Sequence, residues 1–299
     1  MLLSVLSRLI PAGLWQEALR GAAWWIAALP LRDVRRCREQ LALAFPGRGA
    51  AWRRAQAGRV FAHFGRMAGM TLAAFGRDGA WAARRIAVTQ PERVAAVAAE
   101  LRAGRGLIVF TGHLGNWELL GRGIGHCLPL SVVGRRLRSP RADALVRALR
   151  TATGAEQIDQ DEDPRRILGA LRRGRLVAIL NDQDIPRLAG GFVPFFGRPA
   201  WTPLAPGALC GSAAGWFTVA CVAVGGRWHL RIGPLHRAPR RRGEAAALDV
   251  VAEATAEWES LIRAHPAQWA WWHRRWRTTP AERPGAPGLP VDGCPQVSG

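Results

Sequence analysis

The segment Gly106-Leu-Ile-Val-Phe-Thr-Gly-His-Leu-Gly-Asn-Trp-Glu118 decides how this chain is organised. It starts with the apolar run Leu107–Phe110, which is long enough for a buried strand and too short for a helix. Glycines then interrupt the run, and Asn116 is a residue type that favours the N-cap of a helix. The segment therefore predicts a strand, a turn that carries His113, and a helix whose first turn carries Glu118.

This corner of the chain is a candidate site for acid–base chemistry. On one straight helix, residues five positions apart point about 140° away from each other, whereas a turn lets His113 and Glu118 converge. A carboxylate beside an imidazole keeps one ring nitrogen protonated and leaves the other free to take a proton from a hydroxyl group. The start of the helix also offers unpaired N–H groups to an anion or a developing oxyanion. A histidine near a glutamate is nevertheless more often structural than catalytic.

The sequence around this corner alternates between strand and helix patterns. Short apolar runs typical of buried strands occupy residues 86–89, 130–133, 155–158, 176–180, 216–224 and 228–232. Helical patterns occupy residues 32–79 (interrupted at Pro46-Gly47), 91–102, 140–152, 164–173, 203–211 and 244–264. Strands that alternate with helices predict a single α/β domain, in which a mixed, mostly buried sheet is flanked by helices and preceded by amino-terminal helices.

The composition limits the functions that are open to the chain. Its 299 residues carry a formal net charge of +20, and every basic side chain is an arginine, which indicates a coding bias rather than a choice of arginine over lysine. The surplus charge favours anionic membrane surfaces, acidic proteins or nucleic acid. The five cysteines are odd in number, and no two are spaced as in a zinc or redox motif. We therefore expect neither disulfides nor a metal, and no nucleotide-binding motif or other cofactor signature is present.

A second cluster of polar residues follows the predicted strand at 176–180. It begins with Asn181-Asp-Gln-Asp184, so acidic and amide groups again lie where an apolar strand ends. The next block, Gly190–Thr202, has aromatic residues that suit either an apolar slot or a buried loop at the sheet edge. Asn116 and Asn181 are the two asparagines of the whole sequence, and both lie at strand–loop junctions of these motifs.

The two ends of the chain differ from its centre. Residues 1–31 are apolar but interrupted by charges, and the longest uncharged stretch, Gly21–Leu31, is shorter than the roughly 20 residues that a membrane span needs. Trp15, Trp24 and Trp25 suit a helix that lies in a membrane interface, although an amphipathic helix packed on the domain has the same pattern. Residues 279–299 are rich in proline and glycine, which predicts a disordered tail after a domain at 32–278.

Several of these blocks resemble one protein family. The His113–Glu118 motif is similar to the His-x4-Glu motif of the lipid A biosynthesis acyltransferases of the lauroyl/myristoyl type, within the wider lysophospholipid acyltransferase group. Asp182-Gln183 and the Gly190–Thr202 block resemble a second block of that family, and residues 266–275 resemble its closing Pro-x-Gln-Trp-x-Trp-x-His-x-Arg block. Arg135 matches the arginine of an Arg-Pro-Leu-x-Asn-Pro stretch, from which this chain departs at the second and fifth positions.

The resemblance implies roles for individual residues. His113 would act as general base toward an acceptor hydroxyl, and Glu118 would orient His113 and stabilise its imidazolium. The resemblance and the positions at strand ends make Asn116, Arg135, Asp182 and Gln183 candidates for substrate binding, with Arg135 suited to a phosphate. The implied reaction moves a fatty acyl chain from an acyl carrier protein to a lipid A precursor, at the cytoplasmic face of the inner membrane in lipopolysaccharide biosynthesis. The protein would be peripheral or anchored by its amino end.

Three other functions stay open at the level of sequence. The motifs do not separate a lipid A precursor from another lysophospholipid or glycolipid acceptor, and they do not separate a carrier protein from coenzyme A as donor. A hydrolase could use the same His–Glu pair on water. A non-enzymatic, basic membrane- or nucleic-acid-binding protein is also compatible with the charge and with the interleaved Trp and Arg of residues 269–277, although no nucleic-acid motif is present and we expect no nucleic-acid partner.

Overall fold

The structure of the protein is a computed structural model that describes residue 7, residues 9–136 and residues 139–290, without the side chains of residues 142 and 145. The helices in these residues are α1 (Ala12–Ile26), α2 (Arg32–Ala44), α3 (Ala50–Ala73), α4 (Gly79–Ala83), α5 (Pro91–Arg102), α6 (Trp117–Cys127), α7 (Pro140–Thr151), α8 (Arg165–Arg172), α9 (Ala205–Cys210) and α10 (Glu244–Ala264). The strands are β1 (Ile86–Val88), β2 (Leu107–Thr111), β3 (Leu130–Gly134), β4 (Glu156–Asp159), β5 (Leu176–Leu180), β6 (Gly190–Phe195), β7 (Arg198–Pro203), β8 (Gly215–Val224), β9 (Arg227–Ile232) and β10 (His236–Arg237).

One eight-stranded sheet organises the domain. Its strand order is β1-β9-β8-β2-β5-β3-β4, and β10 pairs with β8. The pairs from β8 through β2, β5 and β3 to β4 are parallel, as is β1 with β9, while β9 and β10 run antiparallel to β8. The predicted α/β fold, with a mixed sheet and helices that precede it, is confirmed.

Strand β2 is fully buried because both faces of the sheet are covered. Leu107 and Val109 belong to an apolar cluster with residues of α5 and α6, whereas Ile108 and Phe110 belong to a cluster with residues of α8 and α10. A strand that is covered on both faces loses the polar alternation of a surface strand. This burial explains why the segment at 107–110 is continuously apolar.

A third apolar cluster joins the sheet edge to the carboxyl-terminal block. It contains residues of α2, α3, α10 and the β6–β7 hairpin, together with Trp269 and Trp271. The guanidinium of Arg275 is buried in this region and donates to Trp201 O at 2.6 Å and to Thr202 Oγ1 at 2.7 Å. Burial lowers the pKa of Arg275 to about 10. The cluster therefore holds the last part of the domain against its first helices.

The block at 190–202 forms a hairpin rather than an irregular loop. β6 and β7 pair antiparallel from Gly190↔Pro203 to Phe195↔Arg198, separate from the main sheet. The two turn residues, Phe196 and Gly197, have φ values of 53° and 69°, as in the two-residue turns that connect hairpins. Phe192, Phe195 and Phe196 are buried, so the aromatics pack against the domain.

The amino-terminal region carries one described helix of 15 residues, α1, which packs along α3. Several large apolar side chains there are exposed to solvent: Leu9, Leu14, Trp24, Trp25, Ile26, Leu29 and Leu31. Across the described residues, every helix is too short or too polar to span a membrane. The predicted interface helix thus corresponds to a helix with an open apolar surface.

The predicted tail at 279–299 is ordered in its first part. Residues 280–282 form a 3₁₀ turn, and Phe192 N–H donates to Pro287 O at 2.8 Å. Leu289 N–H donates back to Phe192 O at 2.9 Å, and its side chain packs on the cluster around α10. This segment adds its backbone to the hairpin edge, a pairing that composition alone does not reveal. Residues 291–299 lie outside the described part of the chain.

Candidate active site

The catalytic candidates meet where two neighbouring parallel strands end. In the register of β2 and β5, Thr111 lies opposite Leu180. Both strands end at this pair, and His113 and Asp182 each lie two residues further along, at equivalent positions after adjacent strands. The carboxyl ends of parallel strands are where α/β sheets place their ligands. The two sequence motifs therefore form one site.

His113 is held by Asp182. The backbone N–H of His113 donates to Oδ2 of Asp182 at 2.7 Å, and Nδ1 of His113 lies 2.9 Å from Oδ1. The indole N–H of Trp269 donates to Oδ2 at 2.8 Å. Asp182 is buried and so fixed by several donors, while 22% of the His113 side chain is exposed. Nδ1–H thus faces the carboxylate, and Nε2 is left as the basic nitrogen.

The pKa of Asp182 is consistent with a permanent carboxylate. Burial raises the pKa, but the charge of His113 and its two hydrogen bonds outweigh burial and hold the pKa below its usual range. An ionised carboxylate at Nδ1 stabilises the imidazolium that forms when Nε2 accepts a proton. The pair can therefore act as a general base with an orienting partner.

Two glycines allow Asp182 and the backbone of Cys221 to pack closely against the turn that carries His113. A Cβ atom on Gly112 would lie 2.7 Å from Cγ of Asp182, so a side chain there would displace the carboxylate. Gly115 has φ +68°, and a Cβ atom would lie 1.9 Å from the carbonyl oxygen of Cys221. The turn needs glycine at 112 for the site geometry and at 115 for the backbone conformation.

Glu118 has a different partner from the one predicted. Its carboxylate accepts hydrogen bonds from Arg150 at 2.6 and 3.2 Å and from the indole of Trp117 at 3.1 Å. Among the described contacts, Asp182 and not Glu118 binds the ring of His113. Glu118 lies in the first turn of α6, which directs it toward α7, so the corner does not fold it back onto His113. It still lines the same cavity as His113.

Asn116 caps α6, as the sequence predicted. Its side chain is fully buried, and Oδ1 accepts from Leu119 N–H at 2.9 Å as the N-cap of α6. Its backbone N–H donates to Cys221 O at 2.8 Å. Asn116 therefore shapes the corner, and its side chain faces the protein interior.

Gln183 connects His113 to a second histidine. Its Nε2 lies 3.0 and 3.3 Å from the two ring nitrogens of His113, and 2.9 Å from Nε2 of His273. Burial, and then the charge of His113, lowers the pKa of His273 to about 4. A neutral His273 offers a lone pair to the amide N–H of Gln183.

The carboxyl-terminal block forms the back wall of the site. Gly115 N–H donates to Gln268 O at 2.9 Å, and Ala270 N–H donates to His113 O at 3.1 Å. These bonds hold the His113 turn on both sides. In the same block, Trp269 forms a hydrogen bond with Asp182, and His273 forms one with Gln183.

His113 opens into a polar cavity of about 670 Å³. Its lining includes Gln183 and the predicted Arg135, which is exposed at the mouth, together with acidic residues and further arginines: Glu118, Asp143, Asp184, Arg147, Arg150, Arg187 and Arg277. Arginines outnumber carboxylates in this lining, so the cavity suits a negatively charged group. Across the described residues, no group of His, Cys, Asp or Glu could hold a metal ion.

Two apolar cavities, of about 40 and 130 Å³, lie beside the polar one beneath α6. The first shares Trp117, Glu118, Arg150 and Leu180 with the polar cavity and is otherwise lined mainly by aliphatic side chains of the sheet and α6. The second shares Leu120, Ile124, Leu176 and Val219 with the first and reaches β1 and α5. The series follows the sheet for at least the length of β5, about 13 Å at the usual rise of a strand.

Sequence reasoning missed the roles of Asp182, Trp269 and His273 around His113. A signal for Asp182 was available, because its carboxylate follows an apolar strand just as His113 does. Trp269 and His273 gave no such signal, since their block ends no strand of the sheet and reaches the site through tertiary packing.

Comparison with known proteins agrees with the predicted resemblance. A model of the bacterial lipid A biosynthesis acyltransferase family matches residues 1–278. A lipid A biosynthesis palmitoleoyltransferase of Escherichia coli (strain K12) and a lipid A biosynthesis acyltransferase of Shigella flexneri are each 30% identical to the chain over 182 residues, which are 59% of this chain and 57% of each relative. A phosphatidylinositol mannoside acyltransferase of Mycobacterium tuberculosis is 27% identical over 185 residues, 60% of this chain and 57% of the relative. The chain thus spans less than two thirds of the length of these relatives.

Proposed function

The chain belongs to the bacterial lipid A biosynthesis acyltransferase family, and from this membership we propose that it transfers a fatty acyl chain from an acyl carrier protein thioester to a hydroxyl group of a lipid A precursor. The observation that carries the proposal is the His113–Asp182 pair, which opens to a polar cavity with apolar cavities beside it. A general base beside both a polar and a hydrocarbon compartment suits acyl transfer to a lipid hydroxyl.

The chemistry follows from the orientation of His113. Nε2 takes the proton of the acceptor hydroxyl as its oxygen attacks the thioester carbonyl, and Asp182 stabilises the imidazolium through Nδ1–H. Collapse of the tetrahedral intermediate breaks the C–S bond, and the imidazolium returns the proton to the thiolate. Asp182 stays ionised throughout, because its pKa is held below its usual range.

The apolar cavities beneath α6 support a fatty acyl substrate. Their lining is aliphatic apart from a few polar groups near the mouth. An apolar cavity is a poor site for water and takes up hydrocarbon. The thioester carbonyl would lie at the junction with the polar cavity, next to Arg150 and His113, where the developing oxyanion meets a positive charge. Lauroyl or myristoyl chains, the lengths implied by the resemblance, are the first donors to test.

The arginine-rich mouth supports an anionic donor and acceptor. Arg135, Arg187 and Arg277 line the polar cavity and are exposed. Exposed arginines can dock the acidic surface of a carrier protein and bind the phosphates of a lipid head group. We propose that the exposed apolar side chains around α1, including Trp24 and Trp25, lie in the interface of the inner membrane at its cytoplasmic face.

A loss-of-gene experiment tests the acceptor. Lipid A from cells with and without the gene is compared by mass spectrometry, and we expect a mass difference of one acyl chain. Complementation with His113→Ala should fail to restore the acyl chain, whereas His236→Ala, on β10, should restore it. Unchanged lipid A in the deletion strain would refute this acceptor.

A second acceptor class has a specific observation in its favour. The mycobacterial relative, at 27% identity, is named for a phosphatidylinositol mannoside, so a different glycolipid could occupy the same polar cavity. Purified protein incubated with labelled acyl donor and total lipid extract would separate the two, because the labelled product identifies the acceptor. Release of free fatty acid without any acylated lipid would instead indicate hydrolysis.

A further inference from the structure

His273 lies behind the catalytic centre without lining its cavity. Its ring centroid is 5.1 Å from that of His113, and Gln183 lies between the two, with Nε2 close to both rings. Gln183 lines the polar cavity, whereas His273 is absent from its lining. The hydrogen bond to Gln183 therefore links His273 to a residue that does line the cavity.

The amide group of Gln183 needs a hydrogen-bond acceptor that fixes its orientation beside His113. Asp182 binds the His113 ring at Nδ1. This bond restrains rotation of the ring about its Cβ–Cγ bond at one atom. Gln183 Nε2 lies 3.0 and 3.3 Å from Nδ1 and Nε2 of His113. Because Nδ1–H already donates to Asp182, the amide N–H can donate only to Nε2, and this second contact opposes rotation of the ring. An amide can also turn by 180° and present its oxygen instead, and the partner of its N–H group decides which end faces the ring.

We propose that His273 is a positioning residue that acts through Gln183: its Nε2 accepts one amide N–H and thereby keeps Gln183 against the ring of His113. The segment that carries His273 is itself fixed, because His273 N–H donates to Ala270 O at 3.1 Å and Ala270 N–H donates to His113 O at 3.1 Å. The inference deepens the proposed function and rests on His113 as general base.

Three variants of the full-length protein test the proposal. His273→Leu removes the acceptor at similar volume, His273→Gln keeps an acceptor near the position of Nε2, and Gln183→Leu removes the amide. Loss of one buried hydrogen bond should lower kcat by about 10–100-fold in His273→Leu, with KM changed by less than about threefold, since His273 does not line the cavity. His273→Gln should restore kcat to within about threefold of the parent protein.

A double variant separates positioning from independent effects. Because His273 acts through Gln183, the double variant Gln183→Leu/His273→Leu should be no slower than Gln183→Leu alone. Multiplied losses would overturn the proposal, as would equal kcat in His273→Leu and the parent or equal losses in His273→Leu and His273→Gln.

A measurement without substrate tests the role of His273 independently of the proposed function. The ¹⁵N chemical shifts of the His113 ring report its tautomer and hydrogen bonding in solution. We expect them to change in His273→Leu and to stay near the parent values in His273→Gln. Unchanged shifts in a folded His273→Leu would overturn the positioning role, whatever the acceptor proves to be. A protein that shows these shift changes but transfers no acyl group would refute the proposed function alone.

Discussion

Nδ1 of His113 lies 2.9 Å from Oδ1 of Asp182, although 69 residues separate them in the chain. The contact follows from the pairing of β2 with β5, which puts Thr111 opposite Leu180 and sends both chains out of the sheet side by side. The carboxylate that binds the ring of His113 thus follows the neighbouring strand and does not come from the helix after His113.

The two carboxylates near His113 should respond differently to neutralisation. Asp182→Asn removes the charge at Nδ1 and should lower kcat/KM by about 10²–10⁴-fold, the range of general-base assistance. Glu118→Gln leaves Asp182 in place and weakens the pair with Arg150, so its loss should be at least tenfold smaller. Steady-state kinetics on purified, folded variants measure both. A larger effect of Glu118→Gln would contradict the assignment of Asp182 as the orienting group.

The two glycines of the His113 turn should separate activity from stability. In Gly112→Ala, the new methyl group would displace the Asp182 carboxylate, and we expect kcat to fall about 10²-fold with a small change in thermal stability. In Gly115→Ala, the clash with Cys221 O and the positive φ should cost more than about 2 kcal/mol of unfolding free energy. Calorimetry and kinetics on both variants check the contrast. Similar losses of stability in the two would contradict it.

The cavity beneath α6 should set the preferred chain length. Ala178 lines it, so Ala178→Leu would fill part of the space. Each methylene that can no longer be buried costs about 0.8 kcal/mol, or about fourfold in affinity, and kcat/KM should shift toward shorter acyl donors. Val177→Leu is the matched control, because Val177 packs on the opposite face of the sheet. The same chain-length preference in Ala178→Leu and the parent would rule this cavity out.

Stability should fall in mild acid because of His63. This ring is buried on α3, with Nε2 3.3 Å from Gly115 O, and burial lowers its pKa from 6.5 to about 4. Between those values the unfolded chain binds the proton and the folded protein does not, so the unfolding free energy decreases as pH falls from 6.5 to 4, by up to about 3 kcal/mol. Urea denaturation at pH 7 and pH 5 should show a loss about 2 kcal/mol larger in the parent than in His63→Gln. Equal losses would contradict the prediction.

Truncation should show where the domain ends. A chain that stops after Thr278 lacks Pro287 and Leu289, which pair with Phe192 of β6, and its Tm should fall by about 5–10 °C. A chain that stops after Pro290 keeps these contacts, and its Tm should stay within about 2 °C of the parent. Differential scanning calorimetry compares the two. An unchanged Tm after the longer truncation would show that the segment adds no stability.

The fold was largely predictable because its signals are local. The apolar runs at 107–110 and 176–180 lie within the strands that are observed, and α10 begins and ends at the predicted residues. A strand that is buried on both faces must be apolar throughout, and helices between such strands must carry an apolar stripe. These requirements act on each segment separately, so the sequence displays them.

The pairing inside the site was not predictable in the same way. Proximity in the sequence predicts Glu118 as the partner of His113. In the structure, Asp182 is the partner because β2 and β5 are neighbours, and strand order is a property of the whole sheet. The ordered segment at 280–290 was missed for a related reason. Its backbone pairs with the edge of the β6–β7 hairpin, and the sequence predicted an apolar slot or a buried loop for the hairpin residues.

Residues 268–273 also determine when, during synthesis of the chain, the site around His113 is completed. The strand and turn that carry His113 leave the ribosome when more than half of the chain is still to be made, but Trp269 and His273 emerge among the last residues of the domain. A nascent chain therefore carries the His113 turn before the residues that hold it have been made. The arrangement around His113 is completed only when synthesis of the domain is nearly finished, so incomplete chains lack it.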